Sequence, residues 1–439
     1  MSARHESLQS PKLSVVQTPV ESSRLRSLQA LGIFCGFAAG AWLGGAEAPI
    51  KLVNPDISPV TVSLVMVCGV FLARWSVPAL IRGTSHVRTD VRQAPHLVVW
   101  AILAGCMWAV ANTLTIYAIR NVGLSIAFPL WNTNSLLGIF WGFLLFHELR
   151  LAGWKRWAGV LGGAVCMFAG AALLAIASSH QAAPGRATLG IAAALGAGIL
   201  WGTMYIPYRK AYLTGMNPLS FITFFTVGEL LTMVVVAVAY RGAAPLWREL
   251  NTAKPVLFWL MLGGLVWVLG DLFQQYATKY VGISRGIPLS NTNQLWGLLW
   301  GILVFHELKG GTHTVYAQVA GGSLLMAAGA VAIALSSATE QEHSSWRNAA
   351  AREGERYGVE HEYVRAGMEG RSFDNRQDSR TLLDWLLILG TTALFILLAS
   401  MARLPAMDIS IGWGLALSLA MLALLAAGGI VLWRTTRFR

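Results

Sequence analysis

The sequence predicts an all-α polytopic membrane protein: two inverted five-helix repeats forming a ten-helix transporter core, followed by a C-terminal pair of transmembrane helices. Three observations predict it. The first is composition: of 439 residues 55% are hydrophobic and 12% charged, at a mean hydropathy of +0.56. That is more apolar surface than a soluble domain can hide. The second is the spacing of apolar runs, since a spanning helix needs roughly 20 such residues. Runs of that kind fall at about 27–48, 58–81, 95–118, 121–147, 157–178, 188–208, 218–240, 255–278, 281–306 and 315–337, with two more at about 382–402 and 410–433.

The third is an internal repeat. The segment PLWNTNSLLGIFWGFLLFHEL at 129–149 aligns without gaps on PLSNTNQLWGLLWGILVFHEL at 288–308, with 14 of 21 positions identical. The register extends back to Trp108 over Trp267, Asn112 over Asp271 and Tyr117 over Tyr276, and forward to Gly162 and Gly163 over Gly321 and Gly322. Shifted by one residue, Gly40, Gly44 and Pro49 align with Gly198, Gly202 and Pro207. Five spans is an odd number, so the two copies enter the membrane in opposite directions. Inverted repeats are a transporter device, because exchanging two near-equivalent halves opens one central site to either face.

The remaining segments follow. Residues 1–26 form a polar tail, too long and polar for an ordinary signal peptide; 27–180 and 181–338 are the two repeats. Residues 339–380 mix both charge signs without apolar periodicity and read as a solvated cytoplasmic linker; 381–433 hold the extra helix pair and 434–439 a basic tail. With twelve spans, 23 of the 33 Lys and Arg fall in segments on the N-terminal side of the membrane and 8 on the other. That bias predicts both termini in the cytoplasm, and a bacterial inner membrane as the location. The net charge of +12 is thereby explained without nucleic acid. Cys35, Cys68, Cys106 and Cys166 lie in apolar runs with no metal-ligand spacing, so neither disulfide nor metal is expected. No phosphate-cradling Gly-rich loop is present for ATP, and no cofactor is expected.

Candidate chemistry lies at mid-span. Asn132, Thr133 and Asn134 occupy the same depth in the fourth span as Asn291, Thr292 and Asn293 in the ninth, with Trp131 before one triplet and Gln294 after the other. Buried amides demand partners, and they offer both donors and acceptors to a polyhydroxylated ligand. Pro129 and Pro288 each remove a backbone donor just before the triplets. The competing reading is helix packing: Asn134, Gly138 and Gly142 share a face, as do Asn293, Gly297 and Gly301. Asn132 and Asn134 point about 200° apart, so Asn132 and Asn291 are expected to face the cavity and the other two to pack. Trp108 and Trp267 could offer flat faces to a sugar ring, each on one helix face with Asn112 or Asp271; Trp42 and Trp201 are weaker candidates.

Glu47, Glu229 and Asp271 are acids within spans and hence candidates for proton coupling. Asp271 leads, because the other repeat has Asn112 in its place; the alternative for it is an ion pair with Arg74 or Arg285. The FHEL endings put Glu148 near Arg209 at one face and Glu307 near Lys51 at the other, a symmetric pair of candidate gates. A membrane enzyme would instead need its acids gathered at one face, and these two lie at opposite faces.

On these residues the chain resembles the drug/metabolite transporter superfamily, a resemblance that implies ten helices in two inverted halves. Within it, VGISRGIPLSNTNQLWGLLWGILVFHEL at 281–308 looks like the glucose/ribose porter sugar-uptake branch, and the Trp108–Asn112 spacing followed by Gly123 and Ser125 is similar to the L-rhamnose–proton symporter. The likeness covers about 27–337. The triplets depart from the branch in being Asn-Thr-Asn in both halves, and 382–433 lies outside the ten-helix pattern. The expected partners are a small sugar-like substrate, protons and the lipid bilayer, with a homodimer left open. The expected activity is sugar uptake by proton symport; a metabolite or drug exporter of the same superfamily is the alternative.

Overall fold

Helices form wherever the sequence stays apolar for several turns, and their starts are marked by residues that satisfy free backbone N–H groups. In the computed structural model, which describes residues 19–46, 48–52, 57–122, 130–178, 187–306, 309–336, 338–371, 379–403 and 408–439, every regular element is helical. The first half holds α1 (Pro19–Gly45), α2 (Pro59–Ile81), α3 (His96–Val122), α4 (Asn134–Phe146) and α5 (Gly153–Ser178). The second holds α6 (Ala187–Leu213), α7 (Pro218–Arg241), α8 (Leu257–Val281), α9 (Ile283–Ser290), α10 (Asn293–Leu299) and α11 (His313–Leu335). Ser58 and Asn217 cap α2 and α7 by accepting from the N–H groups of Thr61 and Leu219, and a proline opens each helix, where its missing donor costs nothing.

The two halves are packed around a pseudo-two-fold axis. Helix α1 lies along α8 as α6 lies along α3; α2 crosses α8 as α7 crosses α3; and α5 pairs with its own counterpart α11. The correspondence reaches single residues. Gly69 meets Met261 and Gly264 meets Met66 where α2 crosses α8, while Gly228 meets Ile102 and Gly105 meets Phe225 where α7 crosses α3. Each residue of one crossing is the counterpart, 159 positions along, of a residue in the other.

Ten of the described helices are long and apolar enough to cross a membrane, counting α14 (Leu382–Met401) and α15 (Ile411–Thr436). The fourth and ninth spans differ from the continuous helices expected at 121–147 and 281–306. Each is broken at its polar triplet: Asn132 and Thr133 form a turn before α4, and Asn291 and Thr292 a turn between α9 and α10. Pro129 and Pro288 stand three residues before the turns, each without a backbone donor; at the turns the Thr133 hydroxyl donates to the Leu130 carbonyl (2.7 Å) and that of Thr292 to the Leu289 carbonyl (2.8 Å). A π-helical turn at Trp300–Val304 extends α10.

The segment expected to be a solvated linker also differs. It contains α12 (Glu340–Tyr357) and α13 (His361–Met368), which pack on the end of α6. Helix α12 starts with a capping box in which Thr339 and Glu342 satisfy each other's backbone. Glu342, Trp346 and Ala350 are buried; they lie four residues apart, so one narrow stripe docks an otherwise polar helix. Helix α14 packs on α2 and α8 and α15 on α1, and both leave much of their apolar surface facing outward.

Candidate substrate and coupling site

The two broken helices meet where their turns come together. The Asn291 side-chain amide donates to the Asn134 Oδ1 (3.0 Å) and to the Ser135 hydroxyl (2.6 Å). One member of each triplet therefore bonds to the other half of the molecule, and the expected division into a cavity-facing Asn291 and a packing Asn134 does not describe a pair that bond each other. Asn132 and Trp131 are buried beside them, Trp131 edge-on to Trp201 with ring centroids 6.0 Å apart. Gln294 is buried, and Asn293 leaves its Oδ1 without a hydrogen bond. Trp108 and Trp267 pack on each other edge to face at 4.8 Å, as counterparts on a two-fold axis do. Asn112 donates to the Ser63 hydroxyl at 2.8 Å.

A second cluster lies in the interior of α2, α7 and α8. Arg74 is fully buried, and so are its two acidic partners: its Nη2 donates to Asp271 Oδ2 at 2.7 Å and its Nη1 lies 3.3 Å from Glu229 Oε2. Asp271 further accepts from the Gln275 amide (2.6 Å) and the Tyr208 hydroxyl (3.4 Å), and the Tyr212 hydroxyl donates to Gln275. The guanidinium lies over the rings of Phe225 (4.1 Å) and Trp267 (5.2 Å). All three charges break the internal symmetry: the counterparts of Arg74, Glu229 and Asp271 are Met233, Val70 and Asn112.

Chain neighbours of the two clusters bond each other. Gln274 donates to the Ser290 hydroxyl (2.6 Å) and the Tyr205 hydroxyl (3.3 Å), and Ser290 immediately precedes Asn291 of the amide pair. Sequence reasoning passed over Tyr205, Tyr208 and Tyr212, although their spacing sets all three on one face of α6.

At the end of the bundle where α1 begins and α6, α8 and α11 finish, Glu148 and Arg209 meet at 2.8 Å, both buried. Glu148 also accepts from the backbone N–H groups of Ile283 (3.2 Å) and Ser284 (2.9 Å). The acid that closes one broken helix thus caps the N-terminus of the other, where the macrodipole favours it. Arg285 pairs with Glu342 of α12 at 3.1 Å, and Glu342 accepts from the Leu149 N–H at 2.8 Å. The Arg209 guanidinium lies over Trp346 at 4.3 Å. Glu47, Glu307 and the side chain of Lys51 lie outside the described residues.

A sequence profile for the family described as sugar transport protein matches residues 52–177 and 192–354. A glucose uptake protein of Staphylococcus xylosus is 22% identical over 218 residues, covering 48% of this chain and 70% of the relative. A Listeria innocua protein named for sugar uptake is 21% identical over 237 residues, 53% of this chain and 77% of its own. A Streptococcus pyogenes protein named for sugar uptake is 41% identical over 64 residues, 14% of this chain and 22% of the relative.

Proposed function

The chain belongs to the sugar transport protein family, an integral membrane transporter rather than an enzyme, and from that premise we propose that it takes up a small sugar together with protons by alternating access between its two halves. The reading rests above all on one observation: the symmetric halves meet at paired amides, and a buried charge cluster with no symmetric copy lies in the same interior, with Gln274 next to its Gln275 bonded to Ser290 next to Asn291. Amides and hydroxyls match the donors and acceptors of a sugar. We assign the sugar to the turns that break the fourth and ninth spans, with Asn132, Asn134, Asn291, Asn293 and Gln294 as its polar contacts and Trp131 as a flat neighbour. Trp108, Trp267 and Asn112 support the walls.

Coupling then falls to the cluster of Arg74, Glu229 and Asp271. Glu148 with Arg209 forms the gate at the end where α1 begins, on the cytoplasmic side; Glu307 and the side chain of Lys51, the candidates for the gate opposite, lie outside the described residues. Closing one gate while the other opens exposes the same turns to each side in alternation.

The test is uptake of labelled hexoses, pentoses and deoxysugars by the purified protein in proteoliposomes, with and without an imposed proton gradient. Accumulation above equilibrium only with the gradient is expected. Flat, gradient-independent uptake across the whole panel would defeat the coupling claim, and absence of any sugar transport would defeat the substrate class. Asp271→Asn is expected to abolish accumulation.

A further inference from the structure

We propose that the proton travelling with the sugar is carried by Glu229, while Asp271 stays ionised as the fixed partner of Arg74. The inference rests on the proton-coupled reading above and assigns its two acids different tasks.

Charge counting comes first. Arg74, Glu229 and Asp271 are all fully buried, at 0% side-chain exposure. One guanidinium and two carboxylates leave one negative charge uncompensated in a medium that solvates it poorly. Among the described residues the groups acting on Glu229 supply no second cation: Arg74 on α2, Asp271 on α8, and the neutral Thr226 hydroxyl on its own helix α7. A single proton makes the cluster neutral.

Hydrogen bonds then decide which acid holds it. Asp271 is met by three donors: Arg74, Gln275 and Tyr208. An acid surrounded by donors is built to be an acceptor, which is what an ionised carboxylate is. Neither oxygen of Glu229 receives a hydrogen bond of good geometry, and its ion-pair contact is the longer one. Protonating Glu229 sacrifices no hydrogen bond, whereas protonating Asp271 sets a new hydrogen among donors.

The cluster also holds what deprotonation needs. Arg74 Nη1 lies 3.3 Å from Glu229 Oε2 without a hydrogen bond, so the guanidinium can tighten onto that carboxylate once Glu229 loses its proton. Glu229 therefore alternates between holding a proton and pairing with Arg74, whose guanidinium lies 5.2 Å from the Trp267 ring. Neutral Met233, Val70 and Asn112 at the counterpart positions show that the helix crossing itself does not require the charges.

The experiment pairs infrared pH-difference spectra of the reconstituted protein with sugar-driven proton uptake. Wild type is expected to show a protonated-carboxyl carbonyl band, shifted by deuteration. Glu229→Gln is expected to lose that band, proton uptake and gradient-driven accumulation, while sugar exchange persists at a reduced rate; Asp271→Glu, which keeps the number of charges, is expected to leave the band at its wild-type frequency. A band that survives Glu229→Gln, or one that is displaced in Asp271→Glu, overturns the assignment. Should Glu229→Gln fail to fold, Glu229→Asp replaces it: a displaced band frequency supports the assignment and an unmoved one overturns it. If wild type transports sugar without moving protons, the coupling reading itself falls. If wild type moves protons and Glu229→Gln moves them equally, only the assignment to Glu229 falls.

Discussion

Arg74 joins three helices through two acids, so removing it alone leaves two carboxylates facing each other without water. Breaking a buried pair by deleting one partner costs about 3–5 kcal/mol, whereas replacing the whole group with apolar residues of similar size is often neutral. Arg74→Met is therefore expected to lower the thermal unfolding temperature in detergent sharply. The triple change Arg74→Met, Glu229→Val and Asp271→Asn, which copies the residues of the opposite half, is expected to recover most of that stability and none of the proton coupling. Scanning fluorimetry with uptake measurements on both variants separates the two effects. His343 is a second residue with a clear direction. Burial, then the positive charges of Arg209, Arg285 and Arg347, push its imidazole down to about 3 from the usual 6.5. The folded state keeps it neutral, bonded to Gln29 at 2.7 Å, while the unfolded chain takes up a proton below 6.5. Its contribution to stability is thus complete above pH 6.5 and is lost as the pH falls from there toward 3. His343→Gln is expected to flatten that part of the profile of unfolding temperature against pH.

At the scale of elements, the helix crossings and the broken spans differ in how readable they were. Gly69 and Gly228 sit where backbone meets backbone, and a methyl group on either would run into Met261 or Ile102. Gly69→Ala and Gly228→Ala are expected to destabilise by similar amounts, about 1–3 kcal/mol each, as overpacking does. Equal shifts in unfolding temperature would express the two-fold relation, and a tolerated change at either would count against it. The repeat made the correspondence of these helices legible, because counterpart residues are identical or similar over long stretches. Breaks at Asn132–Thr133 and Asn291–Thr292 were signalled by Pro129 and Pro288, but the bond that joins them, Asn291 to Asn134, spans 157 residues, which no apolar run reveals. Helix α12 was missed for another reason. Its stripe of Glu342, Trp346 and Ala350 is so narrow that overall polarity hides it, although Thr339 and Glu342 spell a capping box in the sequence.

For the whole molecule, the sequence made the five-plus-five plan legible and left the assembly of the site obscure. Asp271 stood out by breaking a repeat, and Arg74 and Arg285 were both named as possible ion-pair partners; the crossing of α2 over α8 brings Arg74, 197 residues away, to Asp271, while Arg285 pairs with Glu342. The three tyrosines of α6 were equally silent, since a tyrosine in a span is as often packing as chemistry. The plan places the start of α1 and helix α12 at one end of the bundle, where the Gln29 amide donates to the Ala338 carbonyl at 2.6 Å. Single cysteines at Arg26 and Gln341, in a background lacking the four native ones, are expected to react with an impermeant thiol reagent from the same side of the membrane. Labelling from opposite sides would dismantle the topology.

Glu148 gives that end of the bundle a mechanical character of its own. Its one carboxylate is shared among a guanidinium from α6 and two backbone amides at the head of α9. One small group thus fastens the close of α4 to two elements of the other half, and a separation of the halves at this end must strip the carboxylate of the Arg209 pair and of both amides.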